Sequence, residues 1–266
     1  MGGTRLTFAA MQDNQTAPAP DQAKAATADF GFTQVPVAEK ASLVRGVFER
    51  VASRYDLMND LMSVGAHRVW KRIFINALNP RAGERVLDLA GGTGDISFAI
   101  RARGAAVVLS DINPAMLGVG RDRALDSGLA DMPVIAADAE HLPFPDRHFD
   151  AVTMAFGLRN CTDKSAVLRE ARRVLRPGGR FFCLEFSRLE VAALAPLYDA
   201  YSFRVLPWLG GRVAKDSESY RYLAESIRTF PAQAELARMM GEAGLKMVAH
   251  RNLSGGVVAI HSGRRL

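Results

Sequence analysis

Val86-Leu87-Asp88-Leu89-Ala90-Gly91-Gly92-Thr93-Gly94-Asp95 reads as a short buried strand that breaks into a glycine-rich turn, after which Ile96 to Arg103 opens a helix. Glycine at 91, 92 and 94 permits backbone angles and close approaches that a Cβ forbids. A turn of this kind at the carboxyl end of a parallel strand is where open α/β sheets bind their ligands. The remaining question is which ligand it suits.

A dinucleotide-binding turn has the form G-x-G-x-x-G and leaves a helix N-terminus free to receive a pyrophosphate. Here Gly92-Thr93-Gly94 is followed by Ser97 where the third glycine belongs. Asp88 and Asp95 also flank the loop, and two carboxylates repel a phosphate pair. The same acidic loop suits a ligand that is cationic near the turn. S-adenosylmethionine (SAM) meets that requirement, because it has no phosphate and carries an ammonium and a sulfonium. A nicotinamide dinucleotide and a purely structural loop are the alternatives.

The next apolar run, Ala106-Val107-Val108-Leu109-Ser110-Asp111, ends in a carboxylate 17 positions past Gly94. An acidic group about 20 residues beyond such a loop can accept both ribose hydroxyls, a feature that NAD and SAM share. A third run, Pro133 to Ala137, ends in Asp138, placed to meet an adenine amino group. Asp88, Gly92, Gly94, Asp111 and Asp138 are therefore candidate cofactor residues, Asp88 more as a loop-shaping and ammonium-network residue than as a base. On spacing, the arrangement resembles a class I SAM-dependent methyltransferase.

The rest of the chain is compatible with that reading. Of 266 residues, 48% are hydrophobic and 23% charged, the balance of an ordinary globular domain with an extension. No apolar run reaches the roughly 18 residues of a membrane helix. Cys161 and Cys183 lie 22 apart with no C-x-x-C and no nearby histidines, so they read as reduced core thiols, and no metal site is expected. The net charge of +6 suits RNA or an anionic membrane surface without demanding either. Without an aromatic-basic motif for stacking bases, no nucleic-acid partner is expected.

Residues 1–29 are rich in Ala, Gln, Asp and Pro and read as a disordered tail; Asp13, Asp21 and Asp29 argue against a secretory or mitochondrial presequence. Over 42–55, Leu43, Val44, Val47, Phe48, Val51 and Tyr55 fall on one helical face and Arg45, Glu49, Arg50 and Arg54 on the other. That helix either covers the site or lays its basic face on a membrane. Tyr55 to Lys71 follows no single stripe; its methionines suit an adaptable apolar surface, and His67 reads as structural.

From there strands near 85–90, 106–111, 133–138, 148–156 and 180–187 alternate with helices near 95–103, 114–127 and 163–175, the last with Thr162 as N-cap and Pro177-Gly178-Gly179 as its stop. The alternation predicts an α/β fold with a mostly parallel Rossmann-like sheet and helices on both faces. Residues 189–230, broken by Pro196 and Pro207, read as an inserted lid. A helix at 231–243 and an antiparallel strand pair near 245–251 and 256–262 complete seven strands. The organisation is thus a tail over 1–29 and one domain over 30–266, with a helical cover at 42–80.

Several stretches narrow the resemblance. They are Tyr55 to Lys71, the Asp88–Asp95 loop, Asp111-Ile112-Asn113, and Ala137-Asp138-Ala139-Glu140-His141-Leu142-Pro143-Phe144-Pro145-Asp146. Phe156-Gly157-Leu158-Arg159-Asn160-Cys161-Thr162-Asp163, Leu184-Glu185-Phe186-Ser187, Tyr198-Asp199-Ala200-Tyr201-Ser202 and Ser219 to Ile227 follow. In this order they closely resemble the ubiquinone/menaquinone biosynthesis C-methyltransferase family (UbiE type) over roughly residues 30–262. The resemblance implies SAM-dependent methylation of a ring carbon of a polyprenylated benzoquinol or of demethylmenaquinol. It also implies that Thr93, Asp111, Asp138 and Ala139 contact SAM. A cytoplasmic protein with transient contact at the inner membrane face is expected, and a homodimer or a quinone-biosynthesis complex stays open. The rival readings are a methyltransferase of another small molecule and a non-catalytic SAM- or RNA-binding scaffold.

An aromatic carbon is a poor nucleophile until an ortho or para hydroxyl, with a pKa near ~10, loses its proton. Arg159 and Asn160, just after the fourth strand of the alternation, lie on the cofactor side of the sheet and are the candidate catalytic residues. Arg159 would stabilise the phenolate and orient a water, unless it pairs structurally with an acid such as Asp163. Asn160 would hydrogen-bond a quinol oxygen. Tyr55 and Asp56 are candidates to close over the cofactor, and Tyr55, Tyr198, Asp199, Tyr201 and Arg204 are the candidate contacts for the quinol head.

Overall fold

The computed structural model describes residues 26–51, 60, 63, 65–190, 200, 212 and 217–266. It begins with a two-stranded antiparallel hairpin, β1 (Thr27–Phe30) and β2 (Thr33–Pro36), which leads directly into α1 (Val37–Val51). After α2 (Ala66–Leu78) come β3 (Arg85–Leu89), α3 (Asp95–Arg101), β4 (Ala106–Asp111), α4 (Pro114–Asp126), β5 (Val134–Ala136) and β6 (Phe149–Ala155). A single 3-10 turn, Leu158–Asn160, separates β6 from α5 (Lys164–Val174) and β7 (Leu175–Phe186). The chain ends with α6 (Ser217–Thr229), α7 (Gln233–Glu242), β8 (Lys246–Leu253) and β9 (Val258–Arg264).

Seven strands form one sheet in the order β5-β4-β3-β6-β7-β9-β8, parallel except that β9 runs antiparallel to both its neighbours. β3 pairs in register with β4 on one side, Val86 opposite Val107, and with β6 on the other, Val86 opposite Ala151. The chain therefore leaves β3 outward to β4 and β5, then returns to the far side of β3 as β6. That reversal opens a crevice at the carboxyl ends of β3, β4 and β6.

Strict alternation sorts the strand side chains between two faces. Val86, Val107, Leu109, Ala151 and Leu184 pack with Trp70, Phe74 and Leu78 of α2 and with Ile96 and Ile100 of α3. Leu87, Leu89, Val152, Met154 and Cys183 pack with Val167, Leu168 and Ala171 of α5 and with Leu236 and Met240 of α7. Both faces being covered is why the parallel strands are apolar throughout. A third, smaller cluster joins Val44 and Val47 of α1 to Tyr220, Tyr222 and Leu223 of α6, with Phe30 of β1 against it. Each such side chain, fully buried, contributes roughly 1.5–3 kcal/mol, so the amino-terminal segment is held on α6 as a packed layer.

Several expectations change. The tail boundary at residue 30 falls inside the β1–β2 hairpin, and α1 starts at Val37 rather than Ser42. Leu43, placed on the inner face by its pattern, is 39% exposed. The N-cap of α5 is Asp163, whose carboxylate accepts from the Ala166 N–H at 2.9 Å; Thr162 instead donates its own N–H to Glu140 Oε1 at 2.6 Å. Residues 217–229, read as irregular lid, form the regular helix α6. His67 is buried, as a structural histidine would be, and both Ser63 Oγ (2.9 Å) and Asp60 (3.6 Å) approach the same ring nitrogen, Nδ1, so these described residues form no nucleophile–base–acid relay.

Candidate functional site

At the carboxyl ends of the central strands lies a cavity of about 260 Å³. Its walls come from Leu89, Ala90 and Gly92 after β3, Ser110 to Asn113 after β4, Ala137 to Glu140 after β5, and Met154, Phe156, Gly157, Asn160 and Cys161 after β6. Val37, Ala41, Val44, Arg45 and Phe48 of α1 close the fourth side. The backbone at this crevice is unusual. Ala90 (φ 49°) and Phe156 (φ 59°), which end adjacent strands, both lie in the left-handed region that non-glycine residues rarely enter. Gly157 follows so closely that a Cβ there would overlap the Cβ of Ala90.

Asp111 is one of three acidic residues, with Asp138 and Glu140, that line this space. Its Oδ2 accepts from the Gly92 N–H at 2.9 Å and its Oδ1 from the Asn113 N–H at 2.8 Å, so one carboxylate ties the glycine loop to the start of α4. Burial raises its pKa, against the opposing pull of the Asn113, Gly92 and Ile112 N–H groups. Asp138 and Ala139 stand on the same wall; Asp138 is turned by accepting from the Glu140 N–H at 2.9 Å and keeps its side chain 45% exposed. Thr93 and Gly94 do not line the cavity. Thr93 is buried behind the loop, its carbonyl accepting from Arg123 Nη1 at 3.0 Å, and Gly94 (φ 92°) caps α3.

The two aspartates on which the loop-charge argument rested are both spent internally. Asp88 is 0% exposed and lies outside the cavity lining, with Ser97 Oγ donating to Oδ2 at 2.7 Å and Thr153 Oγ1 to Oδ1 at 3.0 Å. Ser97, in the place of a third glycine, thus bonds the helix to the strand. Gly91 is required above it, since a Cβ there would sit 2.8 Å from Asp88 Oδ2. Asp95 is bridged by Lys71 Nζ and Arg123 Nη2, both at 2.8 Å. Burial alone would raise its pKa, but these two cations hold it below the usual range. Among the described residues, the negative character of the cavity therefore comes from Asp111, Asp138 and Glu140, with Arg45 the one cation in the lining.

Burial pushes the Asp88 carboxyl up to about 6, opposed by the bonds from Ser97 and Thr153. The folded value lies above the unfolded one, so the native protein holds this proton more tightly than the unfolded chain. That contribution to stability is complete below about pH 4 and is lost as the pH rises through about 6. Asp88→Asn cannot ionise; relative to its effect at pH 4, it is expected to gain about 2–3 kcal/mol over wild type at pH 8. Urea unfolding at the two pH values measures this, and an equal difference at both would mean that Asp88 is not the titrating group.

Arg159 departs furthest from expectation. It is 6% exposed and does not line the cavity. Its acid partner is Glu185 of β7, not Asp163: Nη1 lies 2.7 Å from Glu185 Oε1 and also donates to the Phe156 carbonyl at 2.6 Å. The guanidinium lies 5.3 Å from the Phe186 ring centroid, within an aromatic group completed by Phe156 and Trp70. Arg159 therefore fastens the backbone after β6 and does not reach into the cavity. Asn160, next in sequence, does line it, and its Oδ1 accepts from the Tyr222 hydroxyl at 3.1 Å.

A buried cation of the cover escaped sequence reading. Lys40 of α1 is 2% exposed and donates to the Cys161 carbonyl at 3.0 Å, pinning the cover to the Asn160 loop; burial, then Lys164, lowers its pKa. Cys161 lines the cavity and Cys183 is fully buried, both as free thiols. Tyr55, Asp56, Tyr198, Asp199, Tyr201 and Arg204 lie outside the described residues. Among the described residues no helix is long and apolar enough to cross a membrane.

The model of the ubiE/COQ5 methyltransferase family matches residues 35–265. The ubiquinone/menaquinone biosynthesis C-methyltransferase UbiE of Acidiphilium cryptum is 60% identical over 242 residues, covering 90% of this chain and 97% of its own. Its counterpart in Bordetella avium is 56% identical over 250 residues, covering 93% and 97%. Among solved structures, a SAM-dependent methyltransferase of Thermotoga maritima superposes with a TM-score of 0.62 at 18% identity, covering 83% of this chain and 99% of its own, a likeness of fold.

Proposed function

From the premise that the chain belongs to the ubiE/COQ5 methyltransferase family, we propose that it transfers a methyl group from SAM to a ring carbon of a polyprenylated quinol. The acceptor is a 2-methoxy-6-polyprenyl-1,4-benzoquinol, demethylmenaquinol, or both, in ubiquinone and menaquinone biosynthesis. The observation that carries this reading is that one cavity is bounded by the glycine loop and Asp111 on one side and by Asn160 with an apolar wall of Val44, Phe48, Met154 and Phe156 on the other.

The residues present fit SAM. Asp111 is a half-buried carboxylate at the end of β4, where a ribose diol is received in this fold class; the acidic walls favour a cationic ligand over a pyrophosphate. Gly92, Asp111, Asp138 and Ala139 would hold it, with Asp88, Thr93 and Gly94 shaping the loop from behind. When bound, SAM supplies an electrophilic methyl group on a sulfonium.

The chain's own contribution is placement and hydrogen bonding. Holding the ring carbon in near-attack contact, at ~3–3.5 Å from the methyl group, removes much of the entropic barrier. Asn160 donates to the quinol oxygen as its hydroxyl proton passes to a water, stabilising the negative charge that makes the ring carbon nucleophilic. Arg159, paired with Glu185, keeps Asn160 in position. The aromatic and aliphatic wall excludes water from the reacting carbon. Val37 (40% exposed) and Ile112 (37% exposed) line the cavity and are also open to solvent, which would give the prenyl tail an apolar exit.

Incubating the purified protein with methyl-labelled SAM and each quinol tests the proposal. Label is expected in the ring methyl of at least one extracted quinone. Label in neither, with a soluble small molecule methylated instead, would replace it with the rival acceptor class.

A further inference from the structure

We infer that Tyr222 is a positioning residue for methyl transfer: its hydroxyl selects the orientation of the Asn160 amide that turns an N–H donor toward the acceptor oxygen. The inference rests on the quinol reading above. It concerns a residue that does not itself line the cavity.

The tyrosine is fixed before it meets Asn160. It lies on α6, 5% exposed, with its ring stacked on Phe30 of the amino-terminal hairpin at 4.3 Å between centroids and 22° between planes. Val44, Val47 and Leu223 pack around it. Burial pushes its phenol well above the usual range, so the hydroxyl keeps its hydrogen at every working pH. A hydroxyl has one hydrogen to donate, and leaving it unpaired in a buried place is costly. Here it goes to Asn160 Oδ1 at 3.1 Å.

An amide presents a carbonyl on one side and an NH2 on the other. With Oδ1 engaged by Tyr222, Nδ2 has no partner among the described residues, and Asn160 lines the cavity. Without the tyrosine hydroxyl the two orientations of the amide differ little, and the flipped one would aim a carbonyl at an oxygen that becomes anionic. Tyr222 and Phe30 thus link the amino-terminal hairpin, α6 and the loop after β6 to the charge that develops on the acceptor.

Tyr222→Phe keeps the ring and its stack and removes only the hydroxyl. Its kcat/KM for the quinol is expected to fall about tenfold, while the SAM Kd by calorimetry stays within about twofold and the melting temperature stays close to wild type. Asn160→Ala is expected to fall further, and Asn160→Ala combined with Tyr222→Phe no further than Asn160→Ala alone, because the hydroxyl acts through the amide. Asn160→Asp, which presents oxygens only, is expected to lose turnover and to regain part of it at acid pH as the carboxyl protonates. Losses that multiply in the double variant, a wild-type kcat/KM in Tyr222→Phe, or a pH-independent Asn160→Asp would each overturn the inference while leaving quinol methylation intact. A wild-type protein that labels neither quinol overturns the acceptor reading and this inference with it.

Discussion

Glu185→Ala is expected to cost about 3–5 kcal/mol of stability, the effect of breaking a buried ion pair from one side. For a domain of this size that corresponds to a fall of roughly 6–20 °C in melting temperature. Glu185 is 1% exposed and carries more than one bond: it accepts from Arg159 Nη1 at 2.7 Å, from the Arg159 N–H at 3.3 Å and from the Phe186 N–H at 2.9 Å. Its removal leaves a buried guanidinium whose Nε already has no hydrogen-bond partner. Among the described residues, the charge then has the Phe156 carbonyl and the face of Phe186 to offset its lost hydration.

The same variant reads out the chemistry. Arg159 holds the turn that carries Asn160, so kcat/KM for the acceptor should fall together with stability, while SAM affinity falls less. Replacing both partners, Arg159→Met with Glu185→Leu, removes the uncompensated charge and should recover most of the stability. If the guanidinium met the acceptor directly, turnover in that folded double variant would vanish. The geometry, with Arg159 outside the cavity lining, implies that turnover persists with a raised KM. Urea unfolding and steady-state kinetics on the single and double variants decide it; a loss under about 1 kcal/mol in Glu185→Ala would mean that the pair is solvated.

The contrast between Arg159 and the sheet shows what a linear chain discloses. The seven strands were legible because apolar runs of strand length, each followed by a helical stripe, have only a few ways to be covered on both faces. That Asp111 and Asp138 line the cavity was legible for a related reason: each ends or follows a parallel strand on the carboxyl side of the sheet, where the crevice of such a fold opens. The partner of Arg159 was not, because Glu185 is 26 positions away and comes alongside only through the pairing of Ala155 with Leu184 between β6 and β7. Nor does sequence distinguish a carboxylate that faces a ligand from one that faces a serine. Asp88 and Asp95 pointed to a cationic ligand for a reason the structure does not support, since neither presents its charge to the cavity. The helix α6 was legible and missed: Tyr220, Leu223, Ala224 and Ile227 fall at helical spacing, but the prolines upstream drew the whole stretch into one irregular segment.

Asp111→Ala should weaken SAM binding by ~100-fold or more. Two hydroxyls donating to a carboxylate each contribute about 1.5–3 kcal/mol, and roughly 3 kcal/mol for the pair after solvent competition is more than two decades in Kd. The substitution also withdraws the acceptor from the Gly92 and Asn113 N–H groups, which loosens the loop that the ligand meets. These two causes are separable. A ribose contact is common to SAM, S-adenosylhomocysteine and 5′-methylthioadenosine, so all three should lose affinity by the same factor, whatever the charge at sulfur. A loop that has merely loosened would penalise most the ligands whose amino-acid arm extends along Gly92, and 5′-methylthioadenosine would be spared. Asp111→Asn separates them further: its amide keeps one acceptor but opposes an N–H of its own to Gly92 or Asn113, so affinity should fall nearly as far as in the alanine variant. Calorimetric titration of the three ligands against both variants gives the answer, and an unchanged Kd in Asp111→Ala would remove Asp111 from the cofactor site.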